Sequence, residues 1–397
     1  MAKETTYDMT KGNPAKLLIL FTIPMFIGNV VQQLYSAVDS IVVGHFVSVE
    51  AMAAIGATSS MLFFFMNMAV GLSNGMGIVM SQYFGAKNEK LLQRASANAL
   101  IVTLVAATVM GGLGMICARP LLELMKTPAD IIDMSHLYIS ISYGGMFCLL
   151  GYNVTASILR AVGNSRAPLY FLIFSSFLNI VLDLVFVLVF HWNVAGVAIA
   201  TLTAQAVSAL LSVSYIYRHY PMLRFKLRDI KPDWEIITRV VKIGLPMSLQ
   251  SACFAAGMMV IQATINSYGT TVVAGYTAAV RVETLTWMIP TTIGTSISNY
   301  AGQNAGAKDI DRIQKGLKAA VKICIISSIV YLTGTSMLKL FIDNQPEILK
   351  VAQEFLFVNA TFYMFIGLVM IYNGTLRGIG DVGLPMFSAF IELFIKV

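Results

Sequence analysis

The chain has 397 residues, of which 57% are hydrophobic and only 12% charged, and it carries a formal net charge of +7. A soluble domain usually has about a quarter of its residues charged, so an ordinary globular enzyme or binding module is excluded and an all-α, polytopic membrane protein is indicated. The four cysteines, Cys117, Cys148, Cys253 and Cys324, stand singly in or at the end of apolar segments without CxxC spacing, which excludes a disulfide framework or a cysteine-based metal centre.

In chain order, the first 16 residues are polar, and the first apolar run already has the length of a span, so no cleavable leader is expected. Spans are predicted at 17–44, 51–83, 96–118, 131–157, 168–190 and 195–217. A helix needs about 20 apolar residues to cross a bilayer, and the longer of these runs imply tilt or extension past the hydrocarbon. A basic linker at 218–238 leads to spans at 240–267, 273–301, 317–341 and 351–376, with an eleventh starting near 384.

The second series repeats the first. Ile23-Pro24-Met25 returns as Leu245-Pro246-Met247, and Ser81-Gln-Tyr-Phe-Gly-Ala-Lys-Asn88 as Gly302-Gln-Asn-Ala-Gly-Ala-Lys-Asp309. Leu159-Arg-Ala-Val-Gly-Asn164 returns as Leu376-Arg-Gly-Ile-Gly-Asp381; the three offsets are 222, 221 and 217 residues. Internal repeats in an apolar chain are the mark of a transporter. Because the repeat holds an even number of spans, both copies enter the membrane in the same sense. The expected architecture is a six-helix bundle over 1–217, a cytoplasmic linker over 218–238, and a second bundle over 239–397. By the repeat's own ruler the second bundle is expected to be incomplete, with about 10.5 of 12 helices present.

Lys and Arg alternate between connections: 21 fall on one side of the predicted membrane and 4 on the other. The positive-inside rule then places the N-terminus in the cytoplasm, and the excess charge needs no nucleic-acid partner. An ionisable residue costs about 2.5–3.5 kcal/mol inside the bilayer, so the few acids there are informative. At 1.5 Å per residue, Asp39, Asp183 and Thr201 fall within one helical turn of the same depth. Asn179 lies four residues before Asp183, and Tyr35 four before Asp39, each on its neighbour's helix face. Such a group can hold a proton or a partly dehydrated sodium ion; two nearby carboxylates favour retention of a proton on one of them, which makes the proton the preferred coupling ion. The competing reading makes the acids buried hydrogen-bond partners that lock the first bundle. Pro24 either kinks the first span and moves Asp39 or is passive. Arg281 and Glu283 read as an internal pair more readily than as substrate contacts, and Glu392 with Lys396 as a helix-face pair. No Walker A motif and no nucleophile–base constellation occurs, so neither ATP hydrolysis nor enzymatic catalysis is expected.

Taken together, Pro24-x(14)-Asp39, the SQxxGAKN and GQxxGAKD turns, the LRxxGN and LRxxGD turns, Asn179-x(3)-Asp183, the GVAIAT run ending at Thr201 and the AAVRVE stretch ending at Glu283 resemble the multidrug and toxic compound extrusion (MATE) transporters over essentially the whole chain. The resemblance is to the branch that couples through its N-terminal half. It implies that Asp39, Asn179, Asp183 and Thr201 form the cation site, with Gln32, Tyr35 and Asn153 bordering it or the drug cavity. The expected function is a secondary antiporter of the cell membrane, a monomer without cofactor, exporting amphipathic or cationic small molecules against inward protons or sodium and surrounded by membrane lipids. The alternatives are a lipid-linked precursor flippase of the same superfamily and an inactive truncated fragment.

Overall fold

A computed structural model describes residues 6–226, 230–266, 268, 270–332 and 346–396, and these are helical with no strand among them. The first copy of the repeat comprises α1 (Pro14–Phe46), α2 (Val49–Gly85), α3 (Glu89–Leu124), α4 (Ile132–Gly144), α5 (Met146–Ala161), α6 (Arg166–Leu184) and α7 (Asn193–His219). The second comprises α8 (Trp234–Asn266), α9 (Thr270–Gly306), α10 (Ile310–Leu332), α11 (Pro346–Ile379) and α12 (Gly383–Lys396). The starts are set by side-chain caps. Asn13 accepts from the Ala15 and Lys16 amides ahead of α1, whose first residue is Pro14; Ser48 caps α2 and Asn88 caps α3. Large apolar side chains point outward, with Ile116 at 74% and Phe177 at 69% exposure. Such a surface is a liability in water and the normal condition in lipid.

Among the described residues, six helices are individually long and apolar enough to cross a membrane, and a seventh span appears when α4 and α5 are taken as one. That pair departs from the single span expected at 131–157: it bends by 46°. The break falls at Gly145, where α5 passes so close to Leu202 of α7 that a β-carbon would strike its side chain. The span expected at 168–190 is also modified, since α6 runs into a π-helical turn over Val185–Val189. The end of the expected ninth span, 333–341, lies outside the described residues.

The two copies meet along a seam in which repeat-equivalent residues exchange equivalent contacts. Gln82 donates through Nε2 to the Gly378 carbonyl at 2.8 Å, and its counterpart Gln303 donates to the Ala161 carbonyl at 2.8 Å. A β-carbon on Gly85 would collide with the Gln303 carbonyl, and one on Gly306 with the Gln82 carbonyl. Only glycine admits so close a backbone approach. The turns match as well: Lys87 and Lys308 adopt φ of 52° and 59°, and Gly163 and Gly380 adopt 86° and 96°. The repeat is therefore a pseudo-twofold relation in three dimensions. The seam lies at the end of the molecule that carries the basic turns.

The segment before α1 is stitched across that seam. The Tyr7 amide donates to the Gly163 carbonyl at 3.0 Å, and the Met9 amide to Gln303 Oε1 at 2.9 Å. The Met9 carbonyl accepts from Asn304 Nδ2 at 3.1 Å and from Arg312 at 3.0 Å, and the Met9 side chain is fully buried. Gln303 is thus bonded on both sides of its amide. Gln303→Ala leaves a buried amide and a buried carbonyl unpaired, at about 1–3 kcal/mol each. Its detergent melting temperature is expected to fall well below that of a lipid-facing control such as Phe177→Ala; equal melting would show that the stitch contributes nothing.

Candidate functional site

The site is built where α1, α6 and α7 pack together, high above the seam. Asp39 sits on the α1 face that also carries Tyr35 and Gln32, at spacings of four and seven residues. On α6, Asn179 and Asp183 are buried, at 1% and 0% exposure. With its nitrogen turned toward the acid, the Asn179 amide donates to Asp183 Oδ2 at 2.8 Å and accepts from the Thr201 backbone amide at 3.0 Å. The hydroxyls of Tyr35 and Thr201 are 3.3 Å apart. The carboxyl groups of Asp39 and Asp183 lie within hydrogen-bonding reach of each other. Each also keeps a buried Oδ1 without a protein hydrogen-bond donor.

That deficit is the chemically telling feature. Buried carboxylate oxygens ordinarily have donors, and two carboxylates in contact cannot both be ionised unless something positive lies between them. A proton on one acid relieves the repulsion, and so does a small cation; the five oxygens of Asp39, Asp183 and Thr201 are hard donors of the kind sodium takes. The π-helical turn starts two residues beyond Asp183, and such turns recur at functional sites.

All four residues expected to hold the cation converge, although they come from three helices and span 163 positions of sequence from 39 to 201. Below them opens a cavity of about 80 Å³ bordered by Gln32, Tyr35, Asn153, Asn179 and Thr201. It adjoins a second cavity of about 150 Å³, shared through Gln32 and Asn153 and reaching down to Pro24 and Arg160. Pro24 is buried within α1, which remains helical through it.

Three residues are not singled out by the sequence. Tyr138 of α4 is buried in the apolar cluster of Val43, Val187 and Val197 and faces the charges of both acids; a single tyrosine in a long apolar run carries no signal of its own. Arg160 and Arg377, counted above as topology markers, point into the seam between the copies. Glu283 takes an internal partner, accepting from Asn359 Nδ2 at 3.2 Å, while the side chains of Arg281 and Lys396 lie outside the described residues.

The sequence model of the MatE family matches residues 24–185 and 246–397, one match for each copy of the repeat. The chain belongs to the MatE family. It is 31% identical to the probable multidrug resistance protein YpnP of Bacillus subtilis, over 94% of this chain and 84% of that protein. The multidrug export protein MepA of Staphylococcus saprophyticus is 21% identical, with 96% and 85% covered. Among solved structures, an outward-facing multidrug resistance MATE family transporter of the MOP superfamily superposes with a TM-score of 0.89 at 23% identity, over 98% of this chain and 88% of that one. A MOP superfamily transporter from Pyrococcus furiosus gives 0.86 at 22% identity, covering 96% and 86%. MatE membership makes this chain a multi-pass membrane transporter and not an enzyme.

Proposed function

We propose that the chain is a secondary antiporter that exports amphipathic, often cationic, organic compounds in exchange for inward-moving protons. The observation that carries this reading is the pair of neighbouring carboxyl groups, Asp39 and Asp183, each with a buried oxygen lacking a donor, above a cavity of amides and hydroxyls. Relatives named for multidrug resistance and multidrug export support the substrate class. Residues 1–217 and 239–397 act as the two bundles, with the Lys- and Arg-rich end in the cytoplasm. When Asp39 and Asp183 share a proton, one negative charge remains but the repulsion between the acids is relieved, and α1 can sit against α6. Once the proton leaves, the acids repel one another, and α1 must shift or the cavity must take up a cationic group.

Sodium is the rival coupling ion, because the same oxygens suit it. Proteoliposomes loaded with a fluorescent cation and given a pH gradient in sodium-free medium are expected to show efflux. Efflux that appears only under a sodium gradient would assign coupling to sodium, and efflux under neither gradient would remove the antiporter reading.

A further inference from the structure

A second polar chamber lies on the pseudo-twofold axis, in the seam, and the cation site does not use it. It is a cavity of about 30 Å³ whose walls come in equivalent pairs. Asn74, Gly77 and Ile78 of α2 face Thr295, Ser298 and Asn299 of α9, each pair 221 residues apart, and Arg160 of α5 faces Arg377 of α11, 217 apart. No acid lines it. Among the described residues the ion pairs are Arg119 with Glu123 and Arg119 with Asp133, so neither seam arginine has an acidic partner. Arg160 donates to Ser157 Oγ at 2.9 Å, and Arg377 donates to Gln250 Oε1. The Arg377 Nε is buried and has no acceptor.

Two half-buried guanidinium groups that line one small chamber, with hydroxyls and amides but no anion, form an incomplete electrostatic unit. Buried charges are ordinarily paired, and removing one partner of such a pair is costly because the other charge is left uncompensated. Size restricts what can complete the unit. A water needs roughly 10–15 Å³ of such space, so the chamber holds about two or three water-sized occupants, which suits a monatomic ion with a water beside it and leaves no room for a phosphate ester or a drug-sized organic anion. We propose that it binds a single halide ion, chloride in the cell, between Arg160 and Arg377. Because the two arginines belong to different copies of the repeat, the site is whole only while the seam is closed, and the ion favours that closed state. A ligand shifts such an equilibrium by its differential affinity for the two states. This inference does not depend on the transported substrate or on the coupling cation.

The test uses the purified full chain in detergent, with chloride or bromide replacing gluconate at constant ionic strength up to about 150 mM. The wild type is expected to gain several degrees of melting temperature with a saturating dependence on halide. Arg160→Gln/Arg377→Gln is expected to lose the dependence, while Arg160→Lys/Arg377→Lys, which keeps both charges, retains part of it. A flat wild-type response, or an equal response in the Gln variant, would overturn the proposal. Should the Gln variant fail to fold, crystals of the wild type in bromide give a separate decision. An anomalous peak between the two guanidinium groups upholds the site, and bromide only elsewhere refutes it.

Discussion

Asp39→Asn is expected to abolish export while leaving the protein inserted and folded, and Asp183→Asn is expected to do the same. An amide is nearly the shape of a carboxyl group and keeps the local hydrogen bonds, but it cannot gain and lose a proton within the transport cycle. Because the two acids act as one unit, the double variant should be no worse than either single one; residues that work together are non-additive in this way. Drug accumulation in cells, compared at matched membrane levels, reads the result. Wild-type efflux from either single variant would remove that residue from coupling. Folding that fails in both would favour the competing view of the acids as a structural lock.

The second large effect is expected at the seam. Gly85→Ala and Gly306→Ala each push a methyl group into a backbone carbonyl of the other copy, Gln303 or Gln82. A backbone atom cannot rotate away as a side chain can, so the helices themselves must part. Overpacking usually costs about 1–3 kcal/mol; here that cost falls on the closed seam alone. The double variant should populate the form open at the basic end and transport at less than a tenth of the wild-type rate. With a reporter cysteine at Asn299, which lines the seam chamber, alkylation by a soluble maleimide should accelerate in the glycine variant. Unchanged labelling together with unchanged transport would mean that the seam yields without separating.

Much of this architecture is legible in the bare sequence, for identifiable reasons. Long apolar runs with charged ends fix the helices, and a nearly rod-like helix converts residue counts into depth, which is why residue counts alone put Asp39, Asp183 and Thr201 at one level. The repeat is legible because it is literal at Gly85 and Gly306 and at Gln82 and Gln303. What the sequence conceals depends on neighbours. The bend at Gly145 falls where Leu202 of α7 packs against a backbone without a β-carbon, although the Gly144-Gly145 pair is a visible hint. Tyr138 comes near the acids through the packing of α4 on α7, a tertiary contact that no local pattern announces. Arg160 and Arg377 look like cytoplasmic markers until the fold turns both onto a common axis. α8 to α10 are less evenly apolar than α1 to α3, since polar positions such as Ser248, Ser296 and Asn299 are turned inward and bonded.

The stitch made by Met9 also sets an order of assembly. Its amide and carbonyl bond Gln303, Asn304 and Arg312, about 300 positions further along the chain. Synthesis proceeds from the N-terminus at about 5–20 residues per second, so roughly 15–60 seconds separate the appearance of Met9 from that of its partners. During that interval α1 to α8 are already available to the bilayer while the segment before α1 has nowhere to dock. Closing the seam is therefore a late event in biogenesis, and a segment made early is among the last to find its place.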